Sequence, residues 1–114
     1  MARLALLLLP LVLAADWPQF LGPTRNSQSA DKELLERLPA AGPEVVWSYK
    51  VGQGYAGAAV AKGKCVIFHR VGNEDLIEAL DAVTGKPVWK VATRTDYSDP
   101  LGKGDGPRAV PTIA

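Results

Sequence analysis

The sequence predicts an all-β fold, an antiparallel four-stranded sheet accompanied by further strands of the same kind, and three observations predict it. The segment Ala79-Leu80-Asp81-Ala82-Val83-Thr84-Gly85-Lys86-Pro87-Val88-Trp89 sets two apolar stretches on either side of a polar reversal. Asp81 and Thr84 bring side-chain oxygens that accept hydrogen bonds from nearby backbone, and Gly85 takes a positive φ without steric cost. Cys65-Val66-Ile67-Phe68 is apolar at every position, so this strand expects cover on both of its faces. Finally, Val88-Trp89 repeats Val46-Trp47, and the two tryptophans stand 42 positions apart, the spacing of small sheets repeated along a chain.

Taken in order, residues 1–15 read as a secretory signal peptide: basic Arg3, an apolar run from Leu4 to Leu13, then Ala14-Ala15 for cleavage. The run is too short to span a bilayer and no cysteine follows it, so no stable membrane anchor is expected. The chain has 13 basic and 12 acidic residues, and loss of Arg3 balances them. A neutral chain lacks the field that attracts phosphate backbones, which argues against nucleic acid as a partner. The single cysteine, Cys65, has no internal disulfide partner and reads as a buried thiol.

Residues 16–43 form an N-terminal arm, mostly irregular and rich in Pro, Gly, Ser and Asn. It holds one expected short helix, capped by Ser29 or Asp31, with Leu34, Leu35 and Leu38 on its apolar side and Pro39 at its end. Trp17 and Phe20 are expected to pack against the sheet. In residues 44–114 the expected strands are 45–51, 57–61, 64–69, 76–81 and 87–91, with Lys62-Gly63 as a tight turn. Pro87 lacks an amide donor and places its strand at a sheet edge. Residues 109–114 read as the opening of another strand, so the sequence is expected to be truncated.

Gly52-Gln53-Gly54-Tyr55-Ala56-Gly57 matches a dinucleotide fingerprint, but no helix can follow before the next strand, so it reads as a glycine-rich loop. His69 has no second histidine to form a metal pair and reads as a polar strand end. Asp96, Asp99 and Asp105 could offer oxygens to calcium, although their spacing fits no known calcium loop. In a meander, alternate turns fall at opposite ends. The long 95–108 stretch then shares an end with the turns near 52–56 and 72–75, and ligands meet the end with longer loops. Arg70, Asp75, Asp99, Lys103, Asp105 and Arg108 are the candidate contacts there, for a protein partner or a small molecule.

The pattern A-x-D-x-x-T-G-x-x-x-W, carried by Ala79, Asp81, Thr84, Gly85 and Trp89, resembles the tryptophan-docking motif of the pyrroloquinoline-quinone-like, quinoprotein-type β-propellers. The opening Asp16-Trp17-Pro18-Gln19-Phe20-Leu21-Gly22-Pro23 is similar to the start of exported bacterial members. The resemblance implies a propeller of eight blades when complete. In it, Trp47 lies on a closing edge strand, the first blade follows, and a second begins near residue 109. It also implies that Trp47 and Trp89 dock between blades. Two functions share this fold. Quinoprotein dehydrogenases oxidise alcohols or sugars with pyrroloquinoline quinone and calcium, and the best-known members carry adjacent cysteines after the first docking motif. This chain has Arg108-Ala109-Val110-Pro111 in that region. Propellers of the outer-membrane assembly type are instead platforms for other proteins. The expectation is an exported, periplasmic or secreted bacterial propeller serving as a non-catalytic scaffold, with the dehydrogenase as the alternative. No catalytic residue, quinone contact or metal ligand can be assigned from the sequence.

Overall fold

The computed structural model describes residues 16–32 and 36–114. The expected signal peptide and Leu34 and Leu35 of the expected helix lie outside them, while residues 29–32 and 36–38 on either side are not helical. Among the described residues the architecture is all-β, as the sequence predicts. Strands β1 (Ala59–Ala61), β2 (Lys64–Val71), β3 (Glu74–Asp81) and β4 (Pro87–Arg94) form one four-stranded sheet in the order β1-β2-β3-β4. Every neighbouring pair is antiparallel.

The turns explain the meander. Lys62 and Gly63 both take positive φ, 51° and 72°, the mirror-image turn whose twist suits the strands it joins. β3 and β4 are joined by a turn built on Asp81. Its Oδ1 accepts from the Val83 and Thr84 N–H groups at 3.0 and 2.8 Å, and from the Thr84 hydroxyl at 3.0 Å. Gly85, at φ 71°, donates its N–H to the Asp81 carbonyl at 2.8 Å. The register slips between Ala79, opposite Trp89, and Leu80, opposite Pro87, so Val88 bulges from the edge strand.

Strand alternation divides the sheet into two faces. Cys65, Ile67 and His69 share one face with Leu80, Glu78 and Leu76, here called the strapped face. Val66, Phe68 and Arg70 share the other with Ala79, Ile77 and Asp75, and with Ala59, Ala61, Trp89 and Val91. The core is drawn from both: Cys65, Leu76 and Leu80 on the first, Ala59, Ala61, Val66 and Ala79 on the second, all buried. Cys65 is the buried thiol expected, and burial pushes its pKa up.

Several boundaries differ from expectation. β2, β3 and β4 run further toward the loop-rich end, because Arg70 pairs in register with Asp75 and Val71 with Glu74, so charged residues that read as loop continue the ladder. The second expected strand shortens to Ala59–Ala61. Residues 45–51 and 109–114 are not strands. The former lie across the strapped face and are held largely by side chains, described below; the latter meet the arm where Ile113 N–H donates to the Pro18 carbonyl at 2.8 Å. The arm instead supplies β1's outer neighbour, since Trp17 and Val60 exchange both backbone hydrogen bonds, at 2.6 and 2.9 Å. Trp17 is part-buried and lies against Gly22, where a Cβ would come within 2.7 Å of the ring. Phe20, expected to pack, is 64% exposed, because the turn at residues 19–27 is satisfied by its own backbone and leaves that ring outside.

Candidate functional site

Two places collect the residues that the sequence singles out, one at each end of the sheet. At the short-turn end, Trp47 lies on Gly85. A Cβ at that glycine would fall 2.6 Å from Trp47 Cδ2, so only glycine admits the indole so closely. The indole N–H donates to the Ala82 carbonyl at 3.0 Å, satisfying the donor that burial of a tryptophan otherwise strands. Asp81 shapes this seat without touching the indole through any hydrogen bond of its own: it holds the turn that presents Ala82 and Gly85. The Thr84 backbone N–H, and next its hydroxyl, hold the Asp81 carboxyl below the usual carboxylate range. Ala79 is fully buried beneath this turn, in register with Trp89. Trp89 itself points to the opposite face and is 44% exposed.

At the other end the six charged residues named from the sequence come together, but mostly as partners of one another. The guanidinium of Arg70, 6% exposed, grips Asp75 with both prongs, Nε to Oδ1 at 2.7 Å and Nη2 to Oδ2 at 3.2 Å. Its Nη1 donates to the Tyr97 carbonyl at 2.8 Å, and the Tyr97 ring lies 5.9 Å from the guanidinium carbon. Asp75 accordingly holds the Arg70 pKa above its ordinary value. Asp99 organises the 95–108 loop. Its Oδ2 accepts from Lys103 N–H at 2.7 Å and its Oδ1 from Leu101 N–H at 3.3 Å, which together keep its carboxyl below the usual range. The Asp99 N–H donates in turn to Asp105 Oδ1 at 2.7 Å.

Arg108 closes the cluster. It reaches Asp99 Oδ2 at 3.4 Å and the Gly104 carbonyl at 3.1 Å, and its guanidinium carbon lies 5.6 Å from the Tyr55 ring. Tyr55 donates its hydroxyl to the Lys103 carbonyl, tying the glycine-rich loop to the 95–108 loop. Gly52-to-Gly57, the apparent dinucleotide fingerprint, is thus packing surface: Gly54 faces Pro107, and the Tyr55 and Ala56 N–H groups both donate to the Pro107 carbonyl. Of the carboxylates that could have offered oxygens to calcium, Asp99 and Asp105 are occupied by backbone N–H groups, and among the described residues no cluster of three or more ligating side chains forms. Solvent at this end meets Lys103, Arg108 and the 66%-exposed Tyr55, along with Val71, Tyr97 and the 76%-exposed Leu101.

A third cluster was not foreseen. On the strapped face, His69 and Glu78 are buried side by side, 6% and 7% exposed, and Tyr49 donates its hydroxyl to Glu78 Oε2 at 2.9 Å. The Gly52 N–H donates to His69 Nδ1 at 2.8 Å. A signal was present in the sequence: Tyr49 follows Trp47 by two, the same-side spacing of extended chain, and Glu78 interrupts the apolar run from Leu76 to Leu80. Neither signal says which segment covers the face.

The comparisons with known proteins bear on this arrangement. The chain is 30% identical over 89 residues to the outer membrane protein assembly factor BamB of Burkholderia pseudomallei (strain K96243), a match that covers 76% of this chain. The chain spans 23% of that relative's length. No family model and no solved structure matches it. With the four-stranded antiparallel meander, this similarity supports a β-propeller repeat. Among the described residues no helix is long and apolar enough to cross a membrane.

Proposed function

We propose that this chain belongs to an exported propeller of the pyrroloquinoline-quinone-like repeat type that acts as a non-catalytic platform for other proteins in the bacterial periplasm. The observation that carries this reading is the 89-residue likeness to an outer membrane protein assembly factor, read beside a four-stranded meander with an indole seated on its Asp81 turn. In this reading Trp47 belongs to the closing edge of a ring and docks on the first blade, while Trp89 is offered to the next. The surface of Tyr55, Lys103 and Arg108 at the loop-rich end meets the partner. Arg70 and Asp75 sit behind it as support, because their charges neutralise each other.

The quinoprotein dehydrogenase remains the competing reading, and it makes a different demand on the full-length protein. Adding pyrroloquinoline quinone and calcium, with dye reduction assayed on alcohols and sugars, is expected to give no turnover above a quinone-free control. A photo-crosslinker introduced at Lys103 is expected to capture a protein in cells, in the periplasmic fraction. Quinone-dependent turnover, or crosslinking confined to the cytoplasmic fraction, overturns the scaffold reading.

A further inference from the structure

Residues 45–53 cross the strapped face from the Asp81 turn to the far end of β2, and one of their tethers, at His69, depends on a protonation state. Trp47 holds one end on Ala82 and Gly85. At the other, Gln53 and Arg70 exchange backbone hydrogen bonds at 2.9 and 2.8 Å. Between them Gly52 N–H donates to His69 Nδ1 at 2.8 Å, so Nδ1 presents a lone pair and the neutral ring carries its proton on Nε2. Nε2 is buried without a well-formed hydrogen bond among the described residues, 3.4 Å from Glu78 Oε2. That oxygen already accepts the Tyr49 hydroxyl, and Glu78 pushes the Tyr49 phenol above its ordinary pKa, which keeps it a donor.

The ionisable groups facing His69 are therefore Glu78 from β3 and Tyr49 from the strap, with Lys90 of β4 in register with Glu78. Arg70 and Asp75 lie on the opposite face and pair with each other. The remaining surface around the ring is a cavity of about 140 Å³ lined by Val51, Gly54, Ala56, Ala58 and Ile67, none of which brings an ionisable side chain.

We propose that His69 is a pH-sensitive latch for this strap: a second ring proton, at Nδ1, sets donor against donor at Gly52 and lets residues 45–53 lift from the sheet. The direction follows from linkage. The Gly52 bond exists only with the strap down and the ring neutral, so the lifted state binds the proton more readily and acidification favours lifting. Glu78, 3.4 Å from Nε2, attracts the imidazolium and opposes lifting while the strap is down, so the latch requires that loss of the Gly52 bond outweigh this attraction. Imidazole is the side chain whose charge ordinarily changes between about pH 5 and 8. Lifting also loosens Trp47, whose seat lies at the strap's other end, so a local protonation reaches the Asp81 turn.

The test is hydrogen–deuterium exchange of the full-length protein between pH 8 and 5, following peptides that cover residues 45–53, with rates corrected for intrinsic exchange. Protection is expected to fall by up to about tenfold per pH unit across the imidazole's titration, the limit for one linked proton. In His69→Asn the amide oxygen can stand where Nδ1 stood and cannot titrate, so protection is expected to stay flat. A second measurement does not need that variant to fold: nitrogen NMR of the His69 ring should titrate together with the Gly52 amide. Protection independent of pH in the wild type, pH dependence retained in His69→Asn, or a ring that titrates without moving the Gly52 amide each overturns the latch.

Discussion

Trp47 and Trp89 follow the same dipeptide pattern and meet opposite fates. Trp47 is part-buried, with its indole on a glycine and its N–H on a carbonyl. Trp89 is 44% exposed on the other face, beside 37%-exposed Ile77 and 58%-exposed Val91. The difference is not in the residues but in what each face is given. The strapped face receives residues 45–53. The opposite face receives a short stretch near the C-terminal end, which leaves a groove of about 470 Å³ against Val66, Ile77 and Trp89. The asymmetry falls on β3 and β4, since on the apolar β2 Cys65 and Val66 are both buried and Ile67 and Phe68 both half-buried, one of each on either face.

The comparison can be broken most severely at Gly85. Gly85→Val drives a side chain into the Trp47 ring at a backbone φ of 71°, and the lost indole contact plus left-handed strain are expected to cost about 4 kcal/mol in denaturant unfolding of the full-length protein. Trp47→Ala is expected to cost about 3 kcal/mol. In the double variant the clash disappears, so the two costs should fall short of additive by more than about 1 kcal/mol. Strict additivity would mean that the indole does not occupy the seat in solution.

Trp89→Ala sharpens the contrast. If a further blade covers this face in the full-length protein, as the propeller reading requires, the substitution is expected to cost about 3–5 kcal/mol, as Trp47→Ala does or more. A loss below about 1 kcal/mol would leave Trp89 as surface and remove the reason to place a blade against it. Smaller effects are expected where the seat and the loop end are held by charge. Arg70→Lys keeps the positive charge but loses the two-pronged grip on Asp75 and the bond to Tyr97, so thermal unfolding should shift to lower temperature and the 95–108 loop should be cleaved faster by protease.

The smallest expected effect is one of pH. The folded Asp81 carboxyl lies below its usual range, so its contribution is fully present above that range and is lost as pH falls through the lowered folded value. The thermal midpoint should therefore drop on acidification below about pH 4, the ordinary carboxylate range, and Asp81→Asn should flatten that part of the profile. This acid limb lies well below the imidazole range, so it separates loosening of the Asp81 turn from release of the strap at His69.

Much of the sheet was legible because its causes are local. Lys62-Gly63 and the Asp81-to-Gly85 reversal carry their own turn chemistry, and the order of the four strands follows from joining neighbours through short turns. The loop-end charges were also legible as a group, since meander topology sends Arg70, Asp75 and the 95–108 stretch to one end. Their chemistry was not: the sequence presents six available charges, while folding spends Arg70 on Asp75 and Asp99 on backbone N–H groups. Residues 45–51 misled because alternation of large side chains reads as a strand whether or not a backbone partner exists.

By itself the sequence determined turns, strand polarity and the glycine on which an indole can lie, all properties of residues close along the chain. The tertiary structure alone decided which indole takes that place, and that Tyr49, Gly52, His69 and Glu78 meet. The hydrogen bonds among them join residues up to 35 positions apart, as between Trp47 and Ala82. Hydrophobic periodicity records that a face must be covered but not which segment covers it, because burial is non-directional. The directional bonds that choose the segment form only after it arrives.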